Sequence, residues 1–127
     1  VRYVTLVSGS STLFREVVDG LRTLPDATVQ GDGGNWRVSF TSGASLNVDD
    51  HGPADDGDTA GLHWMTEPTK LLGAHACGIA LGGSADGELV ADVVNLLAAA
   101  LSEPAYLFDP DGRTWQVGLV DRHAVAP

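Results

Sequence analysis

The sequence predicts an α+β protein: a two-layer sandwich with a mainly antiparallel sheet of six to seven strands and two helices on one face. Three observations lead there. Strand-like runs far outnumber helical ones. Only two stretches carry an apolar stripe at helical spacing, one from Leu13 to Leu24 and one from Leu89 to Leu101. Compact turn signals join most neighbouring strand runs as hairpins. Two helices cannot cover both faces of such a sheet, so they lie most simply side by side on one. A split β-α-β, ferredoxin-like order is the expected arrangement. At 127 residues the chain reads as a single domain over 1–127, long enough to bury roughly two-thirds of its unfolded surface.

Each element has a local reason. Residues 2–8 are rich in β-branched and aromatic types and predict an interior strand. Ser8-Gly9-Ser10-Ser11-Thr12 offers side-chain oxygens to the open N–H groups of a first helical turn. Leu13, Phe14, Val17, Val18, Leu21 and Leu24 then form one stripe, with Arg15, Glu16, Asp19 and Arg22 opposite, and Pro25 stops the helix. A meander follows: a short strand over 27–30, a glycine-rich turn over 31–35, and alternating runs over 36–40 and 44–48. An acidic loop over 49–61 separates this half from the next, and residues 62–66 read as a further strand or a lid.

The second half restarts the pattern. Residues 74–81 predict a central strand, Ser84 or Asp86 caps a helix, and Pro104 ends it. Strand runs over 105–108 and 114–120 flank the turn Asp109-Pro110-Asp111-Gly112. The two β-α-β-β-like halves look like a degenerate repeat without residue-level identity.

Composition narrows the function classes. The formal net charge is −10, and Lys70 is the sole lysine. The segment from Asp49 to Asp58 holds Asp49, Asp50, Asp55, Asp56 and Asp58 with no lysine or arginine, so its field is strongly negative. That favours a cationic partner, a metal ion or plain solvation, and it argues against a nucleic-acid backbone. No apolar run reaches the roughly 20 residues that span a bilayer, so no membrane role is expected. A single cysteine, Cys77, forbids an intramolecular disulfide, and the amino-terminal run lacks a cleavage-site pattern. A cytoplasmic setting is the expectation.

Chemistry-bearing patterns are weak. Asp55-Asp56-Gly57-Asp58 lacks the alternating ligands and terminal glutamate of an EF-hand. His51, His63, His75 and His123 are scattered, without paired zinc spacing. His75 and Cys77 share a strand face but lack evident further ligands, so no metal or cofactor is expected. Cys77 lies in an apolar strand rather than an electropositive pocket. Gly9-Ser10-Ser11 is no nucleophile elbow. Gly31-Asp32-Gly33-Gly34 precedes a strand, not a dinucleotide-binding helix. No catalytic residue is assigned.

The tryptophans Trp36, Trp64 and Trp115 fall on strand-like runs, where each either fills the core or forms a contact patch. Tryptophan beside carboxylates suits protein binding, with aromatic anchors and charge steering. Trp36 and Trp64 are therefore candidate anchors beside the five aspartates. In character, not by motif, the chain resembles the immunity proteins that bacteria pair with toxic nucleases, a functional class of many folds. That resemblance implies a non-enzymatic domain binding a basic toxin. The alternatives are a small-molecule or enzymatic domain with a pocket near His63 and His75, and a homodimer that buries the open sheet face.

Overall fold

The computed structural model describes residues 2–53, 63–64 and 75–127. It is an α+β fold whose strands are β1 (Tyr3–Ser8), β2 (Ala27–Asp32), β3 (Asn35–Phe40), β4 (Ala44–Pro53), β5 (His63–Trp64), β6 (His75–Gly83), β7 (Ala105–Phe108) and β8 (Arg113–Gln116). The helices are α1 (Leu13–Leu21) and α2 (Gly87–Leu97), the second followed by a 3-10 turn at Ala98–Ala100. Strand order is β2-β3-β4-β6-β1-β7-β8-β5. Seven strands pair antiparallel, and the short β5 adds to β8 in parallel. β1 lies between β6 and β7, so the β6-α2-β7 connection steps over it.

One sheet face carries both helices. Val4, Leu6, Val38, Leu46, Val48, Ile79 and Leu107 are buried there with Leu13, Val17 and Leu21 of α1 and Val90, Val94 and Leu97 of α2. Gly20 permits the helices to touch, because a Cβ there would lie 2.7 Å from Leu97 Cδ2 and 3.2 Å from Ala100 Cβ. The opposite face has a smaller buried set, Val7 and Ala76 against Phe108. Among the described residues no helix is long and apolar enough to cross a membrane.

Local chemistry explains the helix ends, with one correction. Asp86 caps α2 as the sequence predicts, its Oδ1 accepting from Leu89 N at 2.9 Å. Thr12 occupies the N-cap of α1 without a side-chain bond to the helix backbone. Its hydroxyl donates instead to Glu16, as does Ser10 at 2.8 Å. The carboxylate one turn in takes both hydroxyl protons, while Ser10 Oγ accepts from Thr12 N at 3.2 Å and Ser8 Oγ from Ser10 N at 3.1 Å, ahead of the helix.

Several strand boundaries also differ: β2 runs to Asp32 and β3 starts at Asn35, so the turn between them is two residues rather than five, and β6 runs on to Gly83. β4 continues through Asp49, Asp50 and His51 to Pro53, so the first part of the expected acidic loop is strand. β6 makes this possible by pairing opposite it, Asp49 with Gly78 and Asp50 with Cys77. β8 stops at Gln116 rather than residue 120. Beyond it the backbone turns onto Asn95 of α2, whose Oδ1 accepts from Gly118 N at 3.0 Å and Val120 N at 2.9 Å. Asn95 Nδ2 donates to Val120 O at 3.0 Å, so one amide pins both backbone groups of Val120.

Candidate functional site

The acidic end of β4 does not present its carboxylates as one cluster. Alternation sends Asp49 to the face away from the helices and Asp50 to the helix face. Asp49 accepts a hydrogen bond from Asn35 Nδ2. Asp50 Oδ1 accepts from Gly52 N at 2.8 Å, at a bulge between Asp50 and Gly52. Gly52 takes φ +68° there, a left-handed conformation that glycine adopts freely. Asp55, Asp56 and Asp58 lie outside the described residues. Trp64 sits opposite Thr114 on β5, the far edge of the sheet. Five strand spacings part β5 from β4, about 24 Å along the sheet at roughly 4.8 Å each. Trp64 and the Asp49–Asp50 pair are therefore not brought together.

Trp36 lies with Val38 on the helix face of β3, half-buried, and its Nε1 donates to Gly33 O at 3.2 Å. The Arg22 guanidinium stacks over its ring, 4.6 Å from the centroid. Between α1 and the β2–β3 turn runs a groove of about 320 Å³, lined by Phe14, Val18, Trp36, Gly33, Arg15, Asp19 and Arg22. Its walls are apolar and its charged rim sums to +1 (two arginines against one aspartate), on a protein of net −10. Sequence reasoning names Trp36 but misses this groove. The signal is present in Arg15, Asp19 and Arg22, spaced four and three apart along one helical side. Asp50 lies beside the same turn, its Cβ 3.5 Å from where a Cβ on Gly34 would stand.

Glu16 is held by a network of hydrogen bonds. Glu16 accepts from Ser102 N at 2.6 Å and Ser102 Oγ at 3.1 Å, besides Ser10 and Thr12. Desolvation pushes its pKa up, but these hydrogen bonds outweigh it and hold the carboxyl below its ordinary value. The network ties the start of α1 to the segment after α2. His51 packs over Gly78, where a Cβ would meet the imidazole at 2.6 Å. His75 begins β6 opposite Ser8 and Pro53, while His63 pairs with Arg113. Three strands separate the two histidines, so a single small pocket does not reach both. Among the described residues, no group of three or more His, Cys, Asp or Glu converges on a metal-sized site.

Cys77 is fully buried, and its thiol pKa is pushed up to about 12, first by desolvation and then by Asp50 and Asp49. Such a thiol is a poor nucleophile. Unfolding returns it to an ordinary value near 9.0, so above that pH the unfolded chain loses the proton first. The neutral thiol's contribution is whole below about pH 9 and is lost between about 9 and 12, at ~1.4 kcal/mol per pH unit. Urea unfolding at about pH 8 and pH 10 should show wild type losing ~1.4 kcal/mol more than Cys77→Ala. Equal losses would remove this account. Compared with known proteins, the chain matches no family model, no curated protein and no solved structure.

Proposed function

We propose that the protein is a non-enzymatic protein-binding domain, acting in the cytoplasm as an immunity protein that neutralises a basic toxin. The observation that carries the binding reading is the Trp36 groove. A half-buried tryptophan stacked by an arginine, beside Phe14 and Val18 and rimmed by charge, has the composition of an interaction hot spot. The net charge of −10 supports long-range steering of a cationic partner despite the +1 rim of the groove itself, with Asp50 beside the β2–β3 turn and Asp49, Asp55, Asp56 and Asp58 in the neighbouring sequence. The immunity assignment rests on this general character alone.

The strand order β4-β6-β1-β7 supports reading the core as a ferredoxin-like split β-α-β, with the β2–β3 hairpin inserted between α1 and β4.

The test is capture of a partner by the tagged protein, beginning with the product of the adjacent gene. A one-to-one complex with a basic protein is expected. Trp36→Ala should weaken it by about thirtyfold, ~2 kcal/mol, with the circular dichroism unchanged. Neutralising Asp55, Asp56 and Asp58 together should slow association and flatten its salt dependence. A complex indifferent to both changes, or no complex, would count against the reading.

A further inference from the structure

β2 is an edge strand of the sheet, and its exposure is continuous: Thr28, Gln30, Gly31 and Asp32 are exposed, with Ala27 and Val29 half-buried. It has no proline, lysine or bulge, the usual devices that protect an edge. Its hydrogen-bond parity follows from the turn. Asp32 and Asn35 close a two-residue loop, so they form a hydrogen-bonded pair, as do Gln30 with Arg37 and Thr28 with Ser39. Thr41 N donating to Asp26 O at 3.3 Å extends the same parity. The backbone N–H and C=O groups of Ala27, Val29 and Gly31 therefore point off the edge. Among the described residues nothing pairs with them.

We propose that this edge takes up an extended strand of a cationic protein partner as a further strand of the sheet. The inference rests on the protein-binding reading and names the mode of contact. Two features select the occupant. Asp26 and Asp32 flank the open groups: Asp32 lies in the row facing away from the helices, and Asp26 stands in the turn just before the strand, its carbonyl accepting from Thr41 N. An antiparallel second copy centred on Val29 would set Asp26 of each copy directly opposite Asp32 of the other, a like-charge pairing that opposes self-association. A strand with Lys or Arg at those two positions pairs with both instead. Gly31 supplies the second feature. It is paired with Trp36 at φ +153°, and a Cβ there would run into Asn35 O and lie 2.7 Å from Trp36 Cα, so the close backbone approach requires glycine. With no side chain at 31, a side chain opposite it on an added strand would stand next to Trp36, whose ring already carries Arg22. The edge and the Trp36 groove thus form one surface, with main-chain pairing for affinity and an aromatic pocket for specificity.

The probe is the peptide Lys-Val-Thr-Val-Thr-Val-Lys, with Glu-Val-Thr-Val-Thr-Val-Glu as control, read by amide hydrogen exchange and titration. The lysine peptide should bind about tenfold more tightly than the control and slow exchange at Ala27 and Val29 by about tenfold. In a variant carrying Asp26→Lys and Asp32→Lys the preference should reverse. Val29→Pro, which removes an outward N–H and no ladder bond, should abolish the protection. Equal binding of the two peptides, protection away from β2, or a wild-type dimer protected at β2 would overturn the proposal. If a captured partner is weakened by Trp36→Ala but not by Val29→Pro, the edge fails and the binding reading stands. If no partner and no peptide binds, both fail.

Discussion

Asp109→Ala is expected to destabilise the fold by about 3 kcal/mol, a large effect for one turn residue. The Asp109 side chain is wholly shielded from solvent, yet it is a carboxylate in an acidic protein. Its Oδ1 accepts from Asp111 N at 3.0 Å and Arg113 N at 3.1 Å. Its Oδ2 accepts from Arg113 Nε at 3.1 Å and Ala126 N at 3.2 Å. One buried group therefore closes the β7–β8 hairpin, holds the start of β8 and fastens the carboxy-terminal segment. Truncation would leave three backbone donors and a guanidinium without their acceptor. Asp109→Asn keeps one carbonyl acceptor and should fall between wild type and alanine. Urea unfolding of the three proteins measures this directly. A loss of under ~1 kcal/mol for alanine would mean that the hairpin relaxes to hydrate those donors.

Leu6→Ala should cost about 3 kcal/mol, for the opposite kind of reason. Leu6 is on the central strand, fully buried, with Cys77 and Leu107 directly beside it on β6 and β7. These neighbours are themselves buried beneath the two helices, so the wall has little freedom to collapse into the space left behind. Thr5→Ala, on the other sheet face and only half-buried, should cost under ~1 kcal/mol. Denaturant midpoints for the pair would establish which face holds the main core. Equal effects would contradict the one-sided packing described above.

The site was less legible than the fold. Trp36 stands out in the sequence as one of three tryptophans. Its pairing with Arg22, fourteen residues away, depends on where α1 comes to rest over the sheet. The local charge marks Asp49 and Asp50 as members of an acidic loop. On β4 they are consecutive strand residues, and strand geometry alone sends them to opposite faces. Asn95 reads in sequence as an interruption of an apolar run. In the fold it holds the backbone of Val120, a contact that no local pattern anticipates.

What the sequence by itself determined is what short-range physics controls. The stripe of Leu13, Val17 and Leu21 specifies the buried side of α1, Asp86 starts α2, and Gly33-Gly34 and Asp109-Pro110-Asp111-Gly112 turn the chain into hairpins. These signals act within a few residues, where sterics and local hydrogen bonds outweigh the rest of the chain. Only the tertiary structure decided that β1 lies between β6 and β7, that β4 runs on through Asp50, and that Glu16 bonds Ser102 rather than serving its own helix alone. Strand pairing brings together residues far apart in the chain. The preference for one partner over another comes from burial and ladder bonds that exist only once the sheet has formed.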